Sequence, residues 1–221
     1  LLRGQGFNHA SIGVPDANRE GPLCQARYQD PAPIESLVDA ARTFGFRSVN
    51  IDLGYGHAWQ TPASIELKLA SLIALEPDRL QVFDYAHAPV RYQSQQPQAF
   101  CSESDKSAMR RLCFQHLAAA GYHYIGLGQF ARADDDLKQA QERGRLSRNC
   151  EGFTLHGYCD HVGFGLGAIS QIDTLCVQNT ADAREYREQL GNAQLATQRG
   201  WFRETDRKST RLNSSHPGYL V

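Results

Sequence analysis

The chain has 221 residues, 23 Lys and Arg against 24 Asp and Glu, six Cys and a mean hydropathy of −0.49. This near-neutral balance offers no clustered positive charge for nucleic acid or an anionic membrane, and no apolar run approaches the roughly 20 residues of a membrane span. Hydrophobic residues at 41% suffice for a core, so a soluble globular chain is expected.

In chain order, Phe7 to Val14 has strand character and runs into a loop with Pro15, Asp16 and Asn18. Ile34, Leu37, Val38, Ala41 and Phe44 recur at helical spacing up to Gly45, a residue suited to closing a helix. Arg47 to Leu53 is an apolar, β-branched run ending at Gly54-Tyr55-Gly56. Thr61 before Pro62 predicts a capped helix start, followed by Leu67, Leu69, Leu72 and Ile73. Leu80 to Tyr85 is a third strand. Ser102 with Asp105 predicts the start of a helix carrying Met109, Leu112, Cys113, His116 and Leu117, and Tyr122 to Leu127 is a fourth strand. Alternating strands and helices of this kind predict a parallel sheet whose ligand-binding loops follow the strand C-termini, as in a (β/α) barrel. Asp134 to Arg143 is a charged helix. Phe153 to Gln178, with Gly157, Gly163, Gly165 and Gly167, suits β-structure capping the barrel.

The end of the chain differs in character. From Asp206, the string Asp-Arg-Lys-Ser-Thr-Arg-Leu-Asn-Ser-Ser-His and the closing Pro-Gly-Tyr-Leu-Val are similar to a translated sequencing adapter, so 206–221 is set aside. Without Arg207, Lys208, Arg211 and Asp206, 20 basic and 23 acidic residues remain, a net charge of −3. The first residues, Leu1-Leu2-Arg3-Gly4, lack a basic-then-apolar secretion signal, and an opening on Leu rather than Met is read as the edge of a fragment. Cys24, Cys101, Cys113, Cys150, Cys159 and Cys176 are spaced too irregularly for a disulfide framework and suit a reduced, cytoplasmic chain.

Three constellations carry possible chemistry. Asp52, placed at the mouth of the second strand, suits a ribose hydroxyl, an amine or a metal, or else simply caps a turn. His156-Gly157-Tyr158-Cys159-Asp160-His161 holds several metal-ligand types in one cluster without the second pair of a zinc site, which favours a solvated polar loop. Gly163-x-Gly165-x-Gly167 lacks the flanking elements of a dinucleotide fingerprint and reads as tightly packed backbone. A metal hydrolase would need Asp52, His87 and His156 to converge.

Longer motifs bear a resemblance. Gly13-Val14-x-Asp16-x-Asn18, the run Asn50-Ile51-Asp52-Leu53-x-Tyr55-Gly56 with Gln60-Thr61-Pro62, and Pro77-Asp78-Arg79-Leu80-x-Val82-Phe83-x-Tyr85-Ala86-His87 resemble the oxygen-independent coproporphyrinogen III oxidases. The similarity continues through Gly121-Tyr122, Phe130-Ala131-Arg132-x-Asp134-Asp135 to Gly144, Arg148-Asn149 and Gly167-Ala168-Ile169-Ser170. It implies an internal fragment of a radical S-adenosylmethionine protein of heme biosynthesis, an oxidoreductase. The implied fold is α/β: a partial (β/α) barrel with its N-terminal strands missing and a β-rich capping segment. Residues 1–130 would belong to the (β/α)6 barrel and 131–205 to the barrel end and the start of a C-terminal region.

The resemblance also implies function. The expected reaction is oxidative decarboxylation of two propionates of coproporphyrinogen III to vinyl groups, giving protoporphyrinogen IX. It uses S-adenosylmethionine, a [4Fe-4S] cluster and an electron donor, in a cytoplasmic monomer with no nucleic-acid or membrane partner. Arg27, Asp52, Ala86 and Ile169 fall on positions that line the S-adenosylmethionine site. The family's Cys-x-x-x-Cys-x-x-Cys spacing is absent from this chain, so the isolated polypeptide is expected to be inactive, with its cluster ligands on a missing N-terminal part. Pro15 replaces a cofactor-touching Gln, His57-Ala58-Trp59 replaces Leu-Pro, and Gly128-Gln129 replaces Asp-His. These departures keep open an alternative, a diverged tetrapyrrole- or heme-binding paralogue without decarboxylase activity.

Overall fold

The computed structural model describes residues 1–14, 32–84, 101–149 and 152–202. It is an α/β structure in two compact units, Leu1–Gln139 and Ala140–Val221.

The first unit is organised by a five-stranded sheet. Strands β1 (His9–Gly13), β2 (Ser48–Tyr55) and β3 (Arg79–Asp84) are parallel neighbours, with Ser11 opposite Asn50 and Asp52 opposite Gln81. Helices α1 (Ala32–Thr43), α2 (Pro62–Ala74) and α3 (Glu103–Ala119) alternate with them. The ends of these helices follow from their sequence. At α1 the backbone N–H of Gly45 (φ 73°) donates to Arg42 and that of Phe46 to Ala41, the double bond that ends a helix through a left-handed glycine. At α2 Thr61 and Ser64 exchange hydrogen bonds, Thr61 Oγ1 accepting from Ser64 N and Ser64 Oγ from Thr61 N, with Pro62 in the first turn where its missing N–H costs nothing. At α3 Ser102 accepts from Asp105 N.

One stripe of each helix packs on one face of the sheet. Ile34, Val38 and Ala41 of α1, Ile65, Leu69 and Leu72 of α2, and Met109, Cys113 and Leu117 of α3 are buried against Val49, Ile51, Leu53, Leu80 and Val82. Each fully buried aliphatic side chain contributes about 1.5–3 kcal/mol. The spacing of these residues, every third or fourth on the helices and every second on the strands, makes this a single seam.

The fourth strand is shorter than its sequence suggests and has a partner that periodicity did not reveal. Strand β4 (His123–Gly126) turns through Leu127 (φ 52°) and Gly128 (φ 77°) into β5 (Gln129–Ala131). Two consecutive positive φ angles are the signature of a two-residue hairpin. Strand β5 inserts antiparallel between β3 and β4, so the sheet order is β1-β2-β3-β5-β4. The stretch after the fourth strand, where the sequence pattern predicts a loop at the strand C-terminus, is therefore a hairpin. Position 128 demands glycine twice over: its backbone is left-handed, and a Cβ there would collide with the carbonyl oxygen of Val82. That close approach lets Val82 N donate to Gly128 O at 2.8 Å.

The second unit holds a three-stranded antiparallel sheet of β8 (Ile169–Ile172), β9 (Leu175–Asn179) and β10 (Thr197–Phe202), and a short hairpin of β6 (Ser147–Arg148) and β7 (Phe153–Thr154). Helix α4 (Asp136–Glu142) runs across the division between the units, starting two residues later than the charge pattern suggested. Helix α5 (Ala183–Gly191), which sequence reading did not pick out, is capped by Asp182, whose Oδ1 accepts from Arg184 N and Glu185 N. Among the described residues no helix is long and apolar enough to cross a membrane.

Leu69 is fully buried in α2, whereas Leu67 is 75% exposed on the same helix. Leu69→Ala is expected to cost about 2–5 kcal/mol of stability and Leu67→Ala less than about 0.5 kcal/mol, read by denaturant unfolding of each variant.

Candidate functional site

Strands β1 to β3 are amphipathic in an unusual sense. Parallel sheets are ordinarily apolar on both faces, but here, Phe83 near the end of β3 apart, the face away from the helices is mostly polar. The alternate positions carry Ser11 on β1, Asn50 and Asp52 on β2, and Arg79 and Gln81 on β3. Hydrogen-bonded register aligns them in two cross-strand rows, Ser11–Asn50–Arg79 and Gly13–Asp52–Gln81, and Gln129 of β5 extends the second.

Asp52 is the centre of this face. Ser11 Oγ donates to its Oδ2 at 3.0 Å and Asn50 Nδ2 to its Oδ1 at 2.6 Å, while the same Nδ2 also donates to Ser11 Oγ at 2.8 Å. Burial pushes the Asp52 carboxyl above the usual carboxylate range, and the hydrogen bonds from Asn50 and Ser11 oppose that rise. A half-buried carboxylate with two internal donors suits a hydroxyl or ammonium ligand that brings its own hydrogens. The sequence pointed to Asp52 but not to Ser11 and Asn50 as its holders. Their signal was present in the every-second-residue alternation of polar side chains with Ile12, Val49, Ile51 and Leu53.

Arg79, in the row nearer the strand N-termini, has a structural role. Arg79 Nε lies 3.0 and 2.9 Å from the two oxygens of Asp135, which also accepts from Ser48 Oγ at 3.3 Å and from Leu137 N at 2.8 Å. Beside it, Asp78 Oδ2 accepts from Val49 N at 2.7 Å, and Tyr122 Oη donates to Pro77 O at 2.7 Å. Burial also pushes the Tyr122 hydroxyl up to about 12. The Pro77-Asp78-Arg79 motif thus locks β2, β3 and the Asp135 segment together.

Past the end of β2, Gln60 closes the loop. Its Oε1 accepts from His57 N at 2.9 Å and its Nε2 donates to Gly54 O at 3.1 Å. The His57 and Trp59 rings stack with centroids 4.3 Å apart and planes 8° from parallel. The His57-Ala58-Trp59 departure is therefore accommodated as a closed, ring-stacked turn.

In the second unit Ile169 opens β8, partly buried. The preceding glycine loop is held by side chains: Gly163 N donates to Ser170 Oγ at 3.0 Å and Gly165 N to Tyr186 Oη at 3.1 Å. Gln178 Nε2 reaches Gly167 O at 2.8 Å and Asn179 Nδ2 reaches Gly165 O at 3.0 Å. With the amides of Gly163 and Gly165 committed internally, the loop is tight backbone, in line with its sequence reading, and no phosphate cradle. Arg27, Ala86, Pro15 and His87 lie outside the described residues. Asp52 and Ile169 lie in different units. Cys159 is exposed, and among the described residues no three His, Cys, Asp or Glu side chains are grouped to hold a metal ion.

The first unit is thus an α/β sheet, apolar under its helices and mostly polar on its other face around one desolvated carboxylate. No family model matches the chain, but individual proteins do. It is 46% identical over 209 residues to an oxygen-independent coproporphyrinogen III oxidase of Pseudomonas aeruginosa, covering 93% of this chain and 45% of that protein. It is 40% identical over 202 residues to the Escherichia coli protein of the same name, covering 90% and 44%. A solved structure described as coproporphyrinogen III oxidase from Escherichia coli, a radical SAM enzyme, superposes with a TM-score of 0.75 at 39% identity, over 91% of this chain and 47% of that one. The chain is a homologue of the oxygen-independent coproporphyrinogen III oxidases, and it spans less than half the length of these relatives.

The raised carboxyl of Asp52 has a definite pH consequence. A folded-state value above the unfolded one favours folding of the protonated form, so this stabilisation is complete below the unfolded value near 3.9 and lost as pH rises through the folded value. Asp52→Asn is therefore expected to be more stable than the natural chain at pH 7 and to lose that advantage on acidification towards pH 4, measured by denaturant unfolding at both pH values.

Proposed function

We propose that this chain is the part of an oxygen-independent coproporphyrinogen III oxidase that binds S-adenosylmethionine and faces the tetrapyrrole. The reaction is oxidative decarboxylation of two propionates to vinyl groups in heme biosynthesis. The observation that carries this reading is the Asp52 carboxylate on the polar face of a parallel sheet, within a sequence nearly half identical to such an oxidase. On this reading residues 1–130 are part of a (β/α)6 barrel whose interior is that polar face, 131–205 are the barrel end and the start of a C-terminal region, and 206–221 is a foreign tail.

The described residues fit S-adenosylmethionine at Asp52. The carboxylate is already supplied with donors by Ser11 and Asn50, and its remaining lone pairs suit the ribose hydroxyls or the amino group of the ligand. In this reading Arg27 neutralises the carboxylate of the ligand, Ala86 offers backbone hydrogen bonds and Ile169 packs on adenine. When bound with a reduced [4Fe-4S] cluster, S-adenosylmethionine supplies the hydrogen-abstracting radical that starts each decarboxylation. The described residues do not fit the cluster itself, since none are grouped as metal ligands, and we assign none to it. What this chain's residues contribute is orientation of the ligand by Asp52 and exclusion of water by the helix-packed sheet beneath it.

A second reading, a tetrapyrrole-binding paralogue without decarboxylation, is favoured by one observation. Gly128-Gln129 stands where the family carries Asp-His, and the tight hairpin leaves space only for glycine at 128.

Replacing the matching stretch of the Pseudomonas aeruginosa relative with residues 7–200 of this chain tests both. We expect the chimera to form protoporphyrinogen IX from coproporphyrinogen III and its Asp52→Ala form to lose product. A folded chimera that binds the tetrapyrrole and yields no product would overturn the first reading in favour of the second.

A further inference from the structure

The Ser11–Asn50–Asp52 cluster contains a defect that calls for a reason. Asn50 Oδ1 is buried and has no hydrogen-bond partner among the described residues. Leaving a buried acceptor without a partner incurs the full desolvation penalty of that group, and native structures hold few such groups. Turning the Asn50 amide over would not relieve it, because Oδ1 would then face the Asp52 carboxylate and the Ser11 hydroxyl, where Nδ2 now makes contacts of 2.6 and 2.8 Å. The amide is held in its unfavourable sense by the carboxylate.

Nothing in the fold requires that arrangement. Asn50 and Asp52 lie on the face opposite the helices, and the core beneath them is continuous without them. The other charged groups on this face are already placed. Arg79 on β3 pairs with Asp135, and His9 on β1 is held below its ordinary value by burial and then by Arg79. From the helices packed on the other face no charge acts on Asp52, whose ionisation responds to burial, Asn50 and Ser11.

We propose that Ser11 and Asn50 are positioning residues for Asp52: each donates to one of its carboxylate oxygens, and together they fix its plane, so that its free lone pairs are presented to the donor groups of the ligand. Ser11 acts as the hinge of the cluster, accepting from Asn50 while donating to Asp52. The orphaned Asn50 oxygen is the cost of keeping two donors on one carboxylate. This inference rests on Asp52 being the S-adenosylmethionine contact, and its test separates the two ideas.

The test uses the 221-residue chain with Ser11→Ala, Asn50→Ala and Ser11→Thr, with folding followed by amide spectra. The Asp52 carboxyl is titrated by carbon-13 NMR, and S-adenosylmethionine binding is measured by calorimetry. In both alanine variants we expect the Asp52 carboxyl to titrate at higher pH than in the natural chain and S-adenosylmethionine to bind roughly tenfold more weakly, the effect of one charge-assisted hydrogen bond. Ser11→Thr, which keeps the hydroxyl, should restore both. An unchanged Asp52 titration in folded alanine variants would overturn the proposal. A shifted titration with no S-adenosylmethionine binding by any form would uphold the positioning role and refute the ligand assignment instead.

Discussion

The register between β1, β2 and β3 is the constraint on which the rest depends. Because side chains alternate strictly along a strand, sliding β2 by one residue against its neighbours would move Val49, Ile51 and Leu53 out of the helix-packed seam and bring Asn50 and Asp52 into it. Core and polar face are therefore one decision, made once in the pairing of Asn50 with Ser11 and Arg79. The apolar seam supplies the free energy that holds the register, and the register in turn places a carboxylate where it would not otherwise be tolerated.

Several short motifs serve as the clamps of that register. Asp78 bonds the backbone of Val49, Arg79 bonds Asp135, and Tyr122 bonds Pro77. Each joins segments distant in sequence, and each is made by residues that in isolation look like candidates for chemistry. On the same face Gln81 Nε2 donates to Leu127 O, whereas Ser11, Asn50 and Asp52 bond to one another in a cluster of their own. This is the physical distinction between a charged residue that serves the fold and one that is available to a ligand.

Much of this was legible in the sequence. Gly45, Thr61-Pro62 and Ser102 marked the ends of α1, α2 and α3 because cap residues satisfy backbone groups locally, and local chemistry is visible in a string of letters. Strands β1 to β3 were marked by β-branched runs. Strand β5 was hidden because three residues give no periodicity, and its pairing with β3 depends on a turn whose two positive φ angles, at Leu127 and Gly128, only one glycine hinted at. Helix α5 was hidden by its polarity, having no buried residue to set a stripe. At the site, Asp52 was identifiable by its position after an apolar run, whereas the roles of Ser11 and Asn50 emerge only when 39 and 41 residues of separation are closed by pairing.

The insertion of β5 beside β3 has a consequence for how the chain comes into being. During synthesis β1, β2 and β3 can pair as soon as they leave the ribosome, yet the outer edge of β3 stays bare until residues 129–131 arrive, some 50 residues later. A bare parallel edge offers unpaired backbone groups to any passing strand. The Leu127–Gly128 turn delivers the closing strand already hairpinned to β4, so the edge is covered in one step. Fidelity at that turn thus protects the nascent protein from aggregation as much as it shapes the finished sheet.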